Sequence, residues 1–282
     1  MSVASSSSAQ AAREALAARL RDLRLDAGLK GADIAERCGW SASKSSRIES
    51  ARTAPTDDDV RAWCRACDAL GEAEDLVAAN RQADQMYVRW RRLQRHGMRR
   101  SQEEVLPLYD RTRAFRVYCS NVVPGMLQTQ AYASALLSTI AQFQGNPNDS
   151  EAAAATRLER FRVIQEGDHR FALLLEETVL RYRIGDPSVM AGQLGYLLAV
   201  MGLPNVSLGI IPFDAPRPMW PLEAFYGFDD GLVVVETLTA RLDVTAPSEI
   251  GAYLRAFGVL AKIAVYGADA RALIASALET HG

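Results

Sequence analysis

Four side chains within seven residues, Ser41, Ser43, Lys44 and Arg47, carry the most readily assigned chemistry in this chain. Hydroxyls donate and accept hydrogen bonds, whereas an ammonium and a guanidinium donate and bring positive charge. Together they suit the base edges and phosphates of a nucleic acid. On a helix the spacing of Ser43, Lys44 and Arg47 turns them outward while Ser45 and Ile48 turn inward. The surrounding stretch, Leu29 to Arg52, reads as two short amphipathic helices folded over Gly39. In the first, Ile34, Ala35 and Cys38 share a face. Gly39 supplies the left-handed conformation that ends it, and Ser41 caps the second. Helices that cross steeply need a small residue where they touch, and Ala35 provides it. A generic surface hairpin would interleave Glu with its basic residues, so the pattern is a helix-turn-helix with a polar, basic second helix.

Other reactive residues point to structure more than to chemistry. Cys64 and Cys67 form a CxxC, but within a helix that starts at the Thr56 cap and runs through Asp57, Asp58 and Asp59. Both thiols then lie mid-helix, away from the N-terminus that a redox pair prefers. Cys38 and the scattered His96, His169 and His281 give zinc no second clustered pair, so no metal is expected. Glu176 and Glu177 are adjacent and on a strand face opposite ways, which prevents them from flanking one substrate. No Gly-rich phosphate loop, nucleophile elbow or His/carboxylate cluster occurs, and the expectation is a protein that is not an enzyme and needs no cofactor. Trp220, Phe225, Tyr226 and Phe228 are candidate lining for an apolar pocket, with strand-borne core the favoured alternative.

Length and composition set the organisation. The 282 residues, 49% of them hydrophobic, suggest about two domains. No apolar run reaches transmembrane length, and four cysteines without a disulfide framework fit a reducing, cytoplasmic setting. The opening MSVASSSSAQAA lacks the basic start and apolar core of a signal peptide and reads as a disordered tail over residues 1–12. A net charge of −2 splits along the chain: residues 1–100 hold 18 Lys and Arg against 14 Asp and Glu, and the remainder 14 against 20. The first part suits phosphates; the acidic remainder does not. Two of the three lysines, Lys30 and Lys44, lie inside the motif.

Residues 13–80 are assigned to the helix-turn-helix domain. A long polar helix is expected from Gly71 to about Arg95, with Leu76, Ala79, Ala83, Met86, Tyr87 and Trp90 at helical spacing, and residues 81–110 form a connecting helical segment. The six arginines from Arg89 to Arg100 form a solvated or partner-binding face, with phosphate contact as the alternative. Residues 111–282 read as α+β. Strands are expected at Phe171–Glu177, Val206–Phe213, Ala224–Asp230 and Leu232–Leu238, the last two joined by an Asp-Asp-Gly hairpin turn. Helices are expected at Glu151–Gln165, Ser188–Met201, Ser248–Val265 and Asp269–Leu278. The fold class is therefore multidomain, an all-α N-terminal helix-turn-helix domain plus a C-terminal α+β domain.

The segment from Arg13 to Leu70 resembles the phage-repressor, or XRE-type, DNA-binding domain. The strings that carry the likeness are ARLRDLRLDAGL, IAERCGWS, SKSSRIES and the Pro55-Thr56 start of a fourth helix. By that resemblance Ser41, Ser43, Lys44 and Arg47 are base-reading or phosphate-contacting, with Arg52 and Lys30 completing the DNA-binding set. Arg24 and Glu49 correspond to an ion pair buried behind the recognition helix. The sequence departs from the pattern at Ser45, usually apolar, at Ala51, often glycine, and at Gly31, commonly a phosphate-gripping glutamine.

The strings VPGMLQT, LLEETVLRYRIGD, LPNVSLGIIPF, WPLEAF and VVVETLTA resemble the C-terminal domain of a large group of regulators from high-GC bacteria. That group is described as antitoxin-like and is often encoded beside a small partner protein. The two resemblances imply a transcriptional regulator that binds a pseudo-palindromic operator in double-stranded DNA as a homodimer, with no membrane partner. Its C-terminal domain would sense a small protein partner or signal. The alternative is an antitoxin-like interaction module that neutralises its partner, with DNA binding secondary or lost.

Overall fold

The computed structural model describes residues 3–82, 87–89, 97–145 and 147–281. The chain divides into two compact units, Met1–Tyr87 with Asp243–Gly251, and Val88–Leu242 with Ala252–Gly282. The segment Asp243–Gly251, assigned by sequence to the C-terminal domain, thus groups with the first unit.

The first unit is helical: α1 (Val3–Asp26), α2 (Gly31–Cys38), α3 (Ala42–Glu49), α4 (Asp57–Ala66) and α5 (Ala73–Gln82). Leu16, Leu20 and Leu23 of α1 close over Ile34, Ile48, Val60, Trp63 and Val77. Trp63 is fully buried, and its indole N–H donates to the Leu20 carbonyl at 2.9 Å, so the polar end of this large side chain is satisfied inside the core. Two expectations are corrected here. The stretch read as a disordered tail is helical from Val3, continuing towards the N-terminus the helix whose later turns carry the packed leucine face. Of the long helix expected from Gly71, Ala73–Gln82 is helical among the described residues, and Tyr87–Arg89 is a strand, β1. Ala83, Met86 and Trp90 lie outside the described residues, as do residues 91–96 of the arginine run. Arg99 and Arg100 sit on α6 (Met98–Glu103) and face Glu103 and Glu104 one turn on.

The second unit mixes sheet and helix. After α7 (Leu106–Arg111) come β2 (Ala114–Cys119), α8 (Gln130–Gln144), α9 (Ser150–Leu158), β3 (Arg170–Glu176) and α10 (Glu177–Arg181). Then follow α11 (Pro187–Val200), β4 (Val206–Ile211), β5 (Phe225–Phe228), β6 (Leu232–Glu236) and β7 (Ala240–Val244). Helices α12 (Pro247–Ala261) and α13 (Gly267–His281) complete the chain. Strands β2, β3 and β4 are parallel, and β5 lies antiparallel between β2 and β6. The parallel steps need long crossovers, which α8, α9, α10 and α11 supply.

Alternation assigns the faces. Phe115, Val117 and Cys119 align with Phe171, Leu173 and Leu175 and with Leu208 and Ile210, under Leu194, Leu197 and Ile274. The rings of Phe115 and Phe171 stack at 4.7 Å between centroids. Strand β2 had no place in the sequence assignment. Its second half is buried on both faces, Tyr118 as fully as Val117, so the outward rhythm is confined to Ala114 and Arg116. Helix α8 was also missed, although Thr129 accepts from the Tyr132 N–H at its start and Gly145 is left-handed at its end.

Gly209 sits inside β4 where a Cβ would lie 2.7 Å from the Tyr266 ring and 3.0 Å from Leu174. Gly209→Ala is therefore expected to destabilise the protein by about 1–2 kcal/mol in urea unfolding. Unchanged stability would show that the Tyr266 ring swings aside freely.

Candidate nucleic-acid interface

The turn between α2 and α3 is built by backbone chemistry. Gly39 has φ 69°, and its N–H and that of Trp40 donate back to the carbonyls of Glu36 and Ala35 at 3.0 and 2.7 Å. Ser41 then caps α3 by accepting from the Lys44 N–H at 3.2 Å. Ile34 and Ala35 are buried on α2, and Ser45 and Ile48 on α3, so both helices are clamped by their inner faces. Ser45, a hydroxyl where the resemblance expects an apolar group, donates to the Ala42 carbonyl at 3.1 Å, which removes the cost of burying it. Ala51 adopts φ 54°, the left-handed conformation for which a glycine is usual there. The chain thus keeps the bend at a conformational cost of about 1 kcal/mol.

The outer face of α3 presents Ser43, Ser46 and Arg47 to solvent, with Ser41 exposed at its start. Arg52 just beyond α3 and Lys30 just before α2 are exposed as well. Among the described residues the charged ends of Lys30, Arg47 and Arg52 form no ion pair, although the Lys30 backbone N–H donates to Asp33 Oδ2 at 2.7 Å. Lys44 differs: its Nζ lies 2.6 Å from Asp59 Oδ1 and 4.3 Å from the centre of the Trp40 ring, and only 37% of its side chain is exposed. It leans onto α4, which corrects the expectation of a side chain pointing straight out. Spacing along α3 gave its direction, but Asp59 belongs to the capping box with Thr56 on another helix. Partial burial works to raise the Asp59 pKa, but the hydrogen bonds from Lys44 and Thr56 outweigh it and hold the carboxyl below its usual range. Its contribution to stability is accordingly present above about pH 4 and is lost as pH falls through the lowered value.

Arg24 and Glu49 lie behind the recognition helix. The Arg24 guanidinium donates to Glu49 Oε1 at 3.1 and 2.5 Å and to the Leu29 carbonyl at 2.7 Å, tying α1 to the end of α3 and to the loop before α2. Their side chains are 10% and 17% exposed, so the pair is shielded.

The C-terminal candidates do not assemble into one site. Glu176 accepts from both nitrogens of Arg217, at 2.7 and 2.6 Å, and from Tyr118 OH at 2.8 Å. Glu177 instead meets Arg181 and the Phe213 N–H. Phe225 packs on Tyr118 and Tyr253, Phe228 on Phe115 and Tyr109, and Trp220 is 70% exposed. The Cys64 and Cys67 thiols are buried, and burial pushes both up to about 11, which keeps them protonated near neutrality. Among the described residues no group of acidic, His or Cys side chains could hold a metal ion, and no helix is long and apolar enough to cross a membrane.

Removing Glu49 leaves a shielded guanidinium without its countercharge. Glu49→Ala is expected to destabilise the helix-turn-helix unit by about 2–4 kcal/mol in thermal or urea unfolding, and a melting point equal to wild type would contradict this role.

Residues 15–77 match a family model described as a helix-turn-helix domain, and residues 102–276 match one described as a domain of unknown function (DUF5753). No curated protein matches the chain, and no solved structure matches it. The second match spans more than half of the sequence, and so this chain, with a helix-turn-helix domain of the kind that suggests a DNA-binding regulator at its N-terminus, belongs to the DUF5753 family.

Proposed function

We propose that this protein is a cytoplasmic, sequence-specific transcriptional regulator of the XRE type. It binds a pseudo-palindromic operator as a homodimer, setting two copies of α3 in successive major grooves. One observation carries the proposal: a short helix, capped at Ser41 and locked behind by Arg24 and Glu49, that presents Ser43, Ser46 and Arg47 unobstructed to solvent. Arg47 reads base edges or phosphate, Ser41 and Ser43 contact base edges or phosphate, and Lys30 and Arg52 anchor the flanking phosphates. The antitoxin-like C-terminal domain supplies the dimer contacts and receives a small protein partner or a signal. It performs no catalysis and needs no cofactor.

The test is a mobility shift on DNA upstream of the protein's own gene across a salt series. Binding is expected to weaken steeply as salt rises, and Arg47→Ala to abolish the shift while leaving the melting temperature within about 2 °C of wild type. Binding that ignores salt, or a full shift with Arg47→Ala, would overturn the assignment.

The pairing of Lys44 with Asp59 favours a second reading, the interaction module with weak DNA binding, because the carboxylate withholds one cation from phosphate. The two readings separate on Asp59→Asn. For a regulator this change frees Lys44, and the expected result is several-fold tighter DNA binding with a salt slope steeper by about one. An interaction module would show no change.

A further inference from the structure

Two arginines of the C-terminal domain lie side by side, Arg160 buried and Arg157 half-buried. Arg157 on α9 and Arg160 just after it both point at Gln102 on α6. The Gln102 Oε1 accepts from Arg157 Nε at 3.1 Å and from Arg160 Nη2 at 2.5 Å. Gln128 Oε1 accepts from Arg157 Nη1 at 2.8 Å, and the Arg160 guanidinium lies 5.1 Å from the centre of the Tyr109 ring. Arg160 is only 9% exposed, and its Nε is a buried donor with no acceptor. Every group that meets these guanidiniums is neutral. Among the described residues no carboxylate lies within ion-pair distance of either. Glu236, exposed at the end of β6, acts on Arg157 only through space. Burial and the neighbouring Arg160 push the Arg157 pKa down to about 10, so its guanidinium remains charged at neutral pH.

Elsewhere this chain answers buried charge with opposite charge, as at Arg24 with Glu49 and Arg217 with Glu176. Here two like charges share one amide oxygen, a costly arrangement unless an anion completes it. Gly125 lies against the same pair. A Cβ at that position would sit in ordinary van der Waals contact, 3.6 Å from Arg157 Cδ and 3.7 Å from Arg160 Nη1, so the backbone there packs directly beside the guanidiniums.

We infer that Arg157, Arg160, Gln128 and Gly125 form a binding site for a small-molecule oxyanion, a carboxylate or phosphoryl group held by the two guanidinium forks. Arginine forks match the paired oxygens of such groups, and the orphan Arg160 Nε is a donor still to be filled. The site is independent of DNA binding and would give the C-terminal domain a chemical input.

The experiment is thermal unfolding of the full chain titrated with sodium phosphate, and separately with sodium acetate, at ionic strength held constant with chloride. Wild type is expected to melt about 5–10 °C higher at a hundredfold excess over the dissociation constant, the rise growing with the logarithm of ligand concentration. Phosphate alone giving the rise would assign a phosphoryl ligand, and acetate alone a carboxylate. Arg160→Gln is expected to lose the rise. Gln102→Glu, an isosteric change that places a carboxylate between the guanidiniums, is expected to raise the melting point in chloride alone and to remove the response. It keeps the test decisive should Arg160→Gln fail to fold. No rise in wild type beyond that in chloride, or the same rise in both variants, would overturn the inference.

Discussion

The cost of taking a charge out of water governs this chain in both of its units. A guanidinium or carboxylate drawn into a protein must be met by an opposite charge or by well-placed hydrogen bonds, and each shielded charge discussed above can be judged by that rule. In the first unit the rule is met behind the recognition helix, where Arg24 reaches Glu49 and a loop carbonyl together. That contact joins the end of α1 and the loop after it to Glu49, twenty-five residues on, and braces α3 from behind. In the second unit Arg217, on the loop between β4 and β5, reaches Glu176 at the end of β3 and Tyr118 completes the set. Residues with the composition of an acid–base pair serve instead to pin a loop over the carboxyl ends of the parallel strands.

The same rule sets the limits of the recognition surface. Lys44 would be a phosphate contact if spacing along α3 were all that mattered. Asp59 stands close enough to claim it, and Asp59 is itself held by the first turn of α4, so the lysine serves partly as a brace between helices. Arg47 has no such neighbour and stays in solvent. The interface is narrower than the run of polar residues suggests, and its charge is concentrated in Lys30, Arg47 and Arg52. The proposed dimer would answer so sparse a set, because two half-sites joined by symmetry multiply a weak individual grip.

Against this background the Arg157–Arg160 pair is conspicuous, since two charges share a neutral acceptor and one donor goes unmet. A domain that neutralises its shielded charges elsewhere leaves here a place for a ligand to supply the missing one.

Much of this protein was legible in the amino-acid sequence because the deciding physics is local. Gly39 and Ser41 end one helix and cap the next through bonds that span three to five residues, and Ile34, Ala35 and Ile48 declare the buried faces by spacing alone. The Asp-Asp-Gly turn between β5 and β6 is legible for the same reason, with Asp229 in the left-handed conformation. Strand β2 was not, because only Ala114 and Arg116 alternate outward before the strand becomes buried on both faces, and its partners β3 and β5 lie more than fifty residues away. Nor were the attachment of Lys44 to Asp59, the clasp of Glu176 by Arg217 and the convergence of Arg157 and Arg160 on Gln102. Local order fixes which way a side chain leaves its own helix or strand. Only the packing of distant segments decides which charge it finds there, and that choice separates a brace from a binding group.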